Sequence, residues 1–127
     1  MKLDHVALYV NDLEAMRGFY ERYFGAVANA KYHNPKTGLE TYFLSFEGGA
    51  RMEIMARPEV VAGTAAPYAA GYTHLAFTLG AKEQVDALTD KLERDGFTVA
   101  SRPRTTGDGY YESCVLDPEG NQVELVA

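Results

Sequence analysis

Two histidines and two glutamates carry the most chemistry in this 127-residue sequence: His5, Glu53, His74 and Glu124. His5 and His74 are 69 positions apart (74 − 5), and Glu53 and Glu124 are 71 apart (124 − 53). A recurrence this regular points to one unit used twice. Taken singly, a histidine or glutamate on a strand is ordinary; the paired recurrence is not. Neutral imidazole and carboxylate together suit a divalent ion such as Zn²⁺, Ni²⁺, Co²⁺, Mn²⁺ or Fe²⁺. Two carboxylates brought close without a cation repel, whereas a metal removes that penalty and keeps positions open for water or substrate oxygens.

The elements that must position these residues repeat as well. "HVALYVNDLEAMRGFYERYFGAV" opens at His5, just after Asp4, and "HLAFTLGAKEQVDALTDKLERDGFTV" opens at His74. Each reads as an alternating strand, a polar turn and an amphipathic helix. The first helix has an apolar stripe of Leu13, Met16, Tyr20, Tyr23 and Phe24, with Asn11 or Asp12 as N-cap. The second has Val85, Leu88 and Leu92, with Gly96 just past its end. "YFLSFEGGARMEIMARP" (42–58) and "YESCVLDPEGNQVELVA" (111–127) then match as strand, Gly-bearing turn and strand with a central glutamate. Each half is therefore β-α-β-β-β. Modules 1–57 and 72–127 are joined by an Ala-, Gly- and Pro-rich linker, 58–71.

Residues two apart on a strand share a face. Val6, Leu8 and Val10, with Met52 and Ile54, form the first module's apolar face, to be covered by the helix. His5, Ala7, Tyr9, Arg51, Glu53 and Met55 face the other way. In the second module Leu75, Phe77, Leu79, Val123 and Leu125 oppose His74, Ala76, Thr78, Gln122, Glu124 and Val126. The four metal candidates thus occupy helix-free faces, where small Ala7 and Ala76 leave room.

Bulk properties exclude several classes. The chain length fits one domain with a real core, and 46% hydrophobic residues with nine tyrosines are globular values. A net charge of −6 argues against nucleic acid. No apolar run reaches membrane-spanning length. "MKLDHVALYV" reads as no signal peptide. The single cysteine, Cys114 in "ESCVLD", fits a reducing cytoplasm and an inert strand position. His33 in "KYHNPKTG" has no counterpart in the second half and reads as a surface or substrate-edge residue. "TTGDGYYES" holds a Gly-x-Gly with no helix to follow, so it reads as a hairpin lip rather than a phosphate loop; alternatively it places Tyr110 or Tyr111 over a ligand.

"DHVALYVNDLEAMRGFYERYFGA", "ARMEIMARP", "GYTHLAFTLG" and above all "LDPEGNQVEL" together resemble the vicinal oxygen chelate superfamily, which includes glyoxalase I, bleomycin-resistance proteins, fosfomycin-resistance thiol transferases and extradiol dioxygenases. The resemblance spans essentially the whole chain. It implies an α+β fold in which two tandem βαβββ modules form a cup-shaped mixed sheet around a metal, in many small members across a homodimer. The metal positions correspond here to His5, Glu53, His74 and Glu124. The glutamate at position 53 resembles glyoxalase I, implying proton transfer through an enediolate with Glu124 as base and Glu53 as the alternative. Where glutathione-using members carry an arginine and an asparagine, this chain has Tyr9 and Arg57, so the tripeptide's carboxylates would need Arg51, Arg57 or Arg104. Tyr9, Arg51, Met55, Arg57, Arg104 and Tyr110 are the expected substrate contacts. A metal-free binding module, or a thiol transferase or dioxygenase on the same scaffold, is the competing expectation.

Overall fold

The computed structural model describes residues 1–61, 63 and 68–127, and the chain divides into two compact units, Met1–Gly63 and Thr64–Ala127. Of the expected linker, residues 62 and 64–67 lie outside the described residues.

The first unit runs β1 (His5–Tyr9), α1 (Leu13–Phe24), β2 (Val27–Ala28), β3 (Tyr32–Asn34), β4 (Leu39–Ser45) and β5 (Arg51–Ala56). Its sheet has the order β1-β5-β4-β2, with β3 also on β4; β1 and β5 are parallel and the other pairs antiparallel. The strand expected between helix and hairpin is present in two pieces. β2 pairs with the C-terminal end of β4 (Val27↔Ser45) and β3 with its N-terminal end (Tyr32↔Thr41). At the break the Asn29 amide oxygen accepts the Phe43 backbone N–H at 2.8 Å, a bond a continuous strand would have made itself.

α1 begins at Asp12, whose carboxylate accepts the Ala15 backbone N–H at 2.9 Å. Gly25, at φ 65°, ends it in a left-handed turn. The helix packs Leu13, Met16, Phe19 and Tyr20 against Tyr42, Leu44, Met52 and Ile54, all buried. Phe19 joins the expected stripe, while Tyr23 and Phe24 are only half-buried. Tyr20 is fully enclosed, and burying its ring stabilises the unit by roughly 2–3 kcal/mol.

The second unit runs β6 (His74–Thr78), α2 (Lys82–Arg94), β7 (Val99–Thr105), β8 (Tyr111–Leu116) and β9 (Gln122–Val126), with sheet order β6-β9-β8-β7. β6 and β9 are parallel, as β1 and β5 are in the first unit. Val85 and Leu92 of α2 meet a core that includes Val115, Val123 and Leu125. Thr89, on the same buried face, donates to the Val85 carbonyl and shares a 2.6 Å hydrogen bond with Ser113. Both hydroxyls are fully buried and both are satisfied. At the helix end the Phe97 N–H reaches the Leu92 carbonyl and the Gly96 N–H the Glu93 carbonyl, with Gly96 at φ 95°. That reciprocal pair closes the last turn. β7 is an edge strand, which tolerates the missing N–H of Pro103; the register shifts between Ser101 and Arg104. No helix among the described residues is long and apolar enough to cross a membrane.

Candidate metal centre

The parity of the strands is as the alternation predicts. Met52 and Ile54 are buried under α1, while His5, Ala7 and Tyr9 are exposed on the opposite side. Val123 and Leu125 are buried under α2, while His74, Ala76 and Thr78 are exposed. The two parallel ladders share one register. Ala7 stands opposite Glu53 and His5 opposite Arg51; Ala76 stands opposite Glu124 and His74 opposite Gln122. In each unit the histidine is therefore diagonal to the glutamate, with an alanine between them on the same face.

His5 Nε2 lies 3.8 Å from Glu53 Oε2, and His74 Nε2 lies 3.1 Å from Glu124 Oε2. The glutamates are the more sheltered members, at 17% and 20% side-chain exposure. Two donor atoms each about 2.1 Å from one ion, and about 90–110° apart around it, stand roughly 3.0–3.4 Å from one another. The second unit's pair meets that spacing and the first unit's is slightly wider. The donor chemistry fits a divalent cation in both. Within neither unit do the described residues gather three or more His, Cys, Asp or Glu side chains in a metal-binding group. Each unit by itself pairs one candidate imidazole with one candidate carboxylate.

His5 is supported from behind. Its Nδ1 is 2.8 Å from Asp4 Oδ2, and the same oxygen accepts from the Arg51 guanidinium at 2.7 Å. The hydrogen bond from His5, then that from Arg51, holds the Asp4 carboxyl below its ordinary pKa. The Phe43 ring stands edge-on to the His5 ring, with centroids 5.3 Å apart, and Arg51 lies 4.5 Å over the face of Phe43.

The expected substrate contacts divide between the units. Tyr9 and Met55 are register partners in the first, and the Tyr9 hydroxyl bonds to Arg57. Arg57 forks onto Glu59, Nε at 2.7 Å and a terminal nitrogen at 3.1 Å, and this pairing, followed by the Tyr9 hydroxyl, raises its pKa. Arg57 lines an open groove of about 310 Å³ shared with Val10, Asn11, Gly38, Glu40 and Pro58. In the second unit Arg104 donates to Ser101 and lies 3.8 Å from Glu112, and Tyr110 sits exposed in the loop closing β7 and β8. Tyr111, the other candidate for that lip, donates its hydroxyl to Asp86 instead. His33 is exposed on β3 opposite Glu40.

Two neighbours of a candidate ligand, Asp4 and Phe43, were not singled out by the sequence pattern. Both brace His5. Cys114 stands opposite Glu124 on β8, with Ser113 and Val115 pointing to the helix side. Burial, and then the charge of Glu124, pushes its thiol pKa up, which fits an inert position.

Two units of the same plan, each with a parallel strand pair carrying histidine and glutamate in one register, define a duplicated glyoxalase-type fold. The model of the Glyoxalase/Bleomycin resistance protein/Dioxygenase superfamily matches residues 2–125, and the chain belongs to that superfamily. Among curated relatives, uncharacterized protein YqjT of Bacillus subtilis is 31% identical over 98% of both chains. Glutathione transferase FosA of Serratia marcescens is 29% identical, covering 97% of this chain and 78% of its own. Among solved structures, a glyoxalase family protein from Enterococcus faecalis superposes with a TM-score of 0.81 at 26% identity, covering 99% of this chain and 97% of its own. Lactoylglutathione lyase from Agrobacterium tumefaciens gives 0.69 at 25% identity, covering 98% and 91%.

Proposed function

We propose that the protein is a cytoplasmic, divalent-metal-dependent lyase or isomerase of the glyoxalase type, acting as a homodimer on a small substrate with adjacent oxygens. The observation carrying this reading is the repeated register: an imidazole and a carboxylate placed alike in two units, on faces their helices leave open. In the proposed site His5, Glu53, His74 and Glu124 share one cation, the two pairs coming from one chain or from two copies.

When bound, the metal supplies Lewis acidity toward the substrate's two oxygens. Glu124 removes a proton from the hydroxyl-bearing carbon beside the carbonyl and returns it to the former carbonyl carbon, while the hydroxyl proton passes to the former carbonyl oxygen; Glu53 is the alternative base. Arg51, Arg57 and Arg104 are the cations available to a substrate carboxylate. Each already has a polar or acidic partner: Arg51 holds Asp4, Arg57 holds Glu59, and Arg104 meets Ser101 and Glu112.

The test is metal analysis of protein purified without chelator, followed by assay with methylglyoxal–glutathione hemithioacetal in added Ni²⁺, Co²⁺, Zn²⁺ or Mn²⁺. Bound metal and metal-stimulated isomerisation, lost in Glu124→Gln, support the reading. Absence of both would assign the fold to metal-free ligand binding. The similarity to a glutathione transferase favours thiol transfer as the second reading. Turnover of fosfomycin with a thiol, without hemithioacetal activity, would select it; turnover of a catechol would select a dioxygenase. Light scattering tests the dimer.

A further inference from the structure

We propose that Asp4, held in place by Arg51, is a positioning residue that fixes His5 in its Nδ1–H tautomer and leaves Nε2 as the ligating atom. The inference deepens the metal reading and rests on it for its functional meaning.

One oxygen, Asp4 Oδ2, is approached by His5 Nδ1 at 2.8 Å and by an Arg51 terminal nitrogen at 2.7 Å. Arg51 can only donate, and an oxygen paired with a guanidinium carries no proton of its own. The short contact to Nδ1 is therefore a hydrogen bond only if Nδ1 carries the hydrogen. In a neutral ring Nε2 is then a bare lone pair, and it lies on the side of Glu53. The 3.8 Å between Nε2 and Glu53 is too long for a hydrogen bond, so nothing in this pair claims that lone pair.

The brace has further members. The Arg51 backbone N–H donates to the Asp4 carbonyl at 3.0 Å, which fixes the approach to β1. Phe43 blocks rotation of the imidazole from one side while offering its face to Arg51. Three strands thus converge on the orientation of one ring. A carboxylate behind a metal-binding histidine fixes the tautomer and raises its basicity, and such outer partners are typically worth 10–100-fold in metal affinity.

The second unit offers the control. Thr73 precedes His74 where Asp4 precedes His5, and neutral Gln122 holds the register place of Arg51. His74 Nε2 comes within 3.1 Å of Glu124, a distance at which a lone pair facing a carboxylate would repel unless a proton lies between them. The brace is a feature of the first unit.

The test reads the tautomer directly, by ¹⁵N NMR of histidine-labelled, metal-free protein well above the ordinary imidazole pKa of about 6.5. His5→Gln assigns the signals. The expected result is an Nδ1–H ring for His5, a ratio of tautomers shifted by about tenfold toward Nε2–H in Asp4→Ala, and no change at His74. Arg51→Met, which frees the carboxylate to wander, should give a smaller shift in the same direction. Zn²⁺ or Co²⁺ affinity of Asp4→Ala should fall by about 10–100-fold. An Nε2–H ring at His5, or a ratio that ignores both substitutions, would overturn the proposal. A shifted tautomer with unchanged metal affinity would overturn the link to ligation. An unaltered Asp4-dependent tautomer in a protein that takes up no cation would sink the metal reading by itself.

Discussion

His74 Nε2 stands 3.1 Å from Glu124 Oε2, and the alanine that separates them along the ladder, Ala76, is the counterpart of Ala7 between His5 and Glu53. The equivalence puts Glu53, like Glu124, among the proposed ligands. Glu53→Gln should weaken divalent metal binding by more than the roughly 10–100-fold typical of outer-shell changes, measured by competition with a chromophoric chelator. Unchanged affinity would reduce the site to three ligands.

Asp117 governs the turn that delivers β9. Its carboxylate accepts the backbone N–H groups of Glu119 and Asn121, both at 2.9 Å, and the Asn121 side-chain amide, while only 4% of it is exposed. Asp117→Ala leaves those donors unmatched and should lower unfolding stability by about 2–4 kcal/mol. Asp117→Asn keeps an acceptor and should lose less. Urea midpoints, with unchanged slopes, are the measurement.

Two glycines should respond in opposite directions. Gly38 has φ 71°, and a β-carbon there would meet the Pro58 ring at 2.9 Å. Gly38→Ala should therefore cost about 1–3 kcal/mol. Gly18 lies exposed within α1 with open space around it, so Gly18→Ala should gain about 0.5–1 kcal/mol. Thermal unfolding of both variants checks the pair; a destabilised Gly18→Ala would contradict the helix.

Cys114 should be quiet while the protein is folded. Burial raises its thiol pKa, so thiolate is scarcer than in the unfolded chain, and alkylation at pH 8 should be at least about tenfold slower than in urea. The sign for stability follows. A group whose folded pKa is raised contributes fully below its unfolded value, so this contribution declines as pH climbs past about 8.5. Alkylation equally fast in native protein would show the site to be open.

The strand alternation made the site faces legible, because a period of two assigns every side chain once one is known to be buried. Helix stripes were less so. Phe19 lies on the buried face beside Tyr20, and Tyr23 and Phe24 sit at its margin, where a curved contact decides exposure. The Thr89–Ser113 bond joins residues 24 apart, and the Asp4–Arg51 bond residues 47 apart. Such pairs depend on which strands become neighbours, which local periodicity does not carry. The division of one expected strand into β2 and β3 likewise depends on how β4 shares its edge. The Asp-Pro-Glu-Gly turn was legible because its hydrogen bonds are local.

In both units the opening strand finds its place beside the closing one, His5 against Arg51 and His74 against Gln122. Neither sheet can be completed until its last strand has left the ribosome, since the strand made first must wait for the strand made last. Such distant pairing slows folding relative to hairpins. It also divides synthesis into two stages: the first unit holds all its own partners before the second has begun to emerge, so nascent chains arrested near residue 100 should already resist proteolysis over β1–β5.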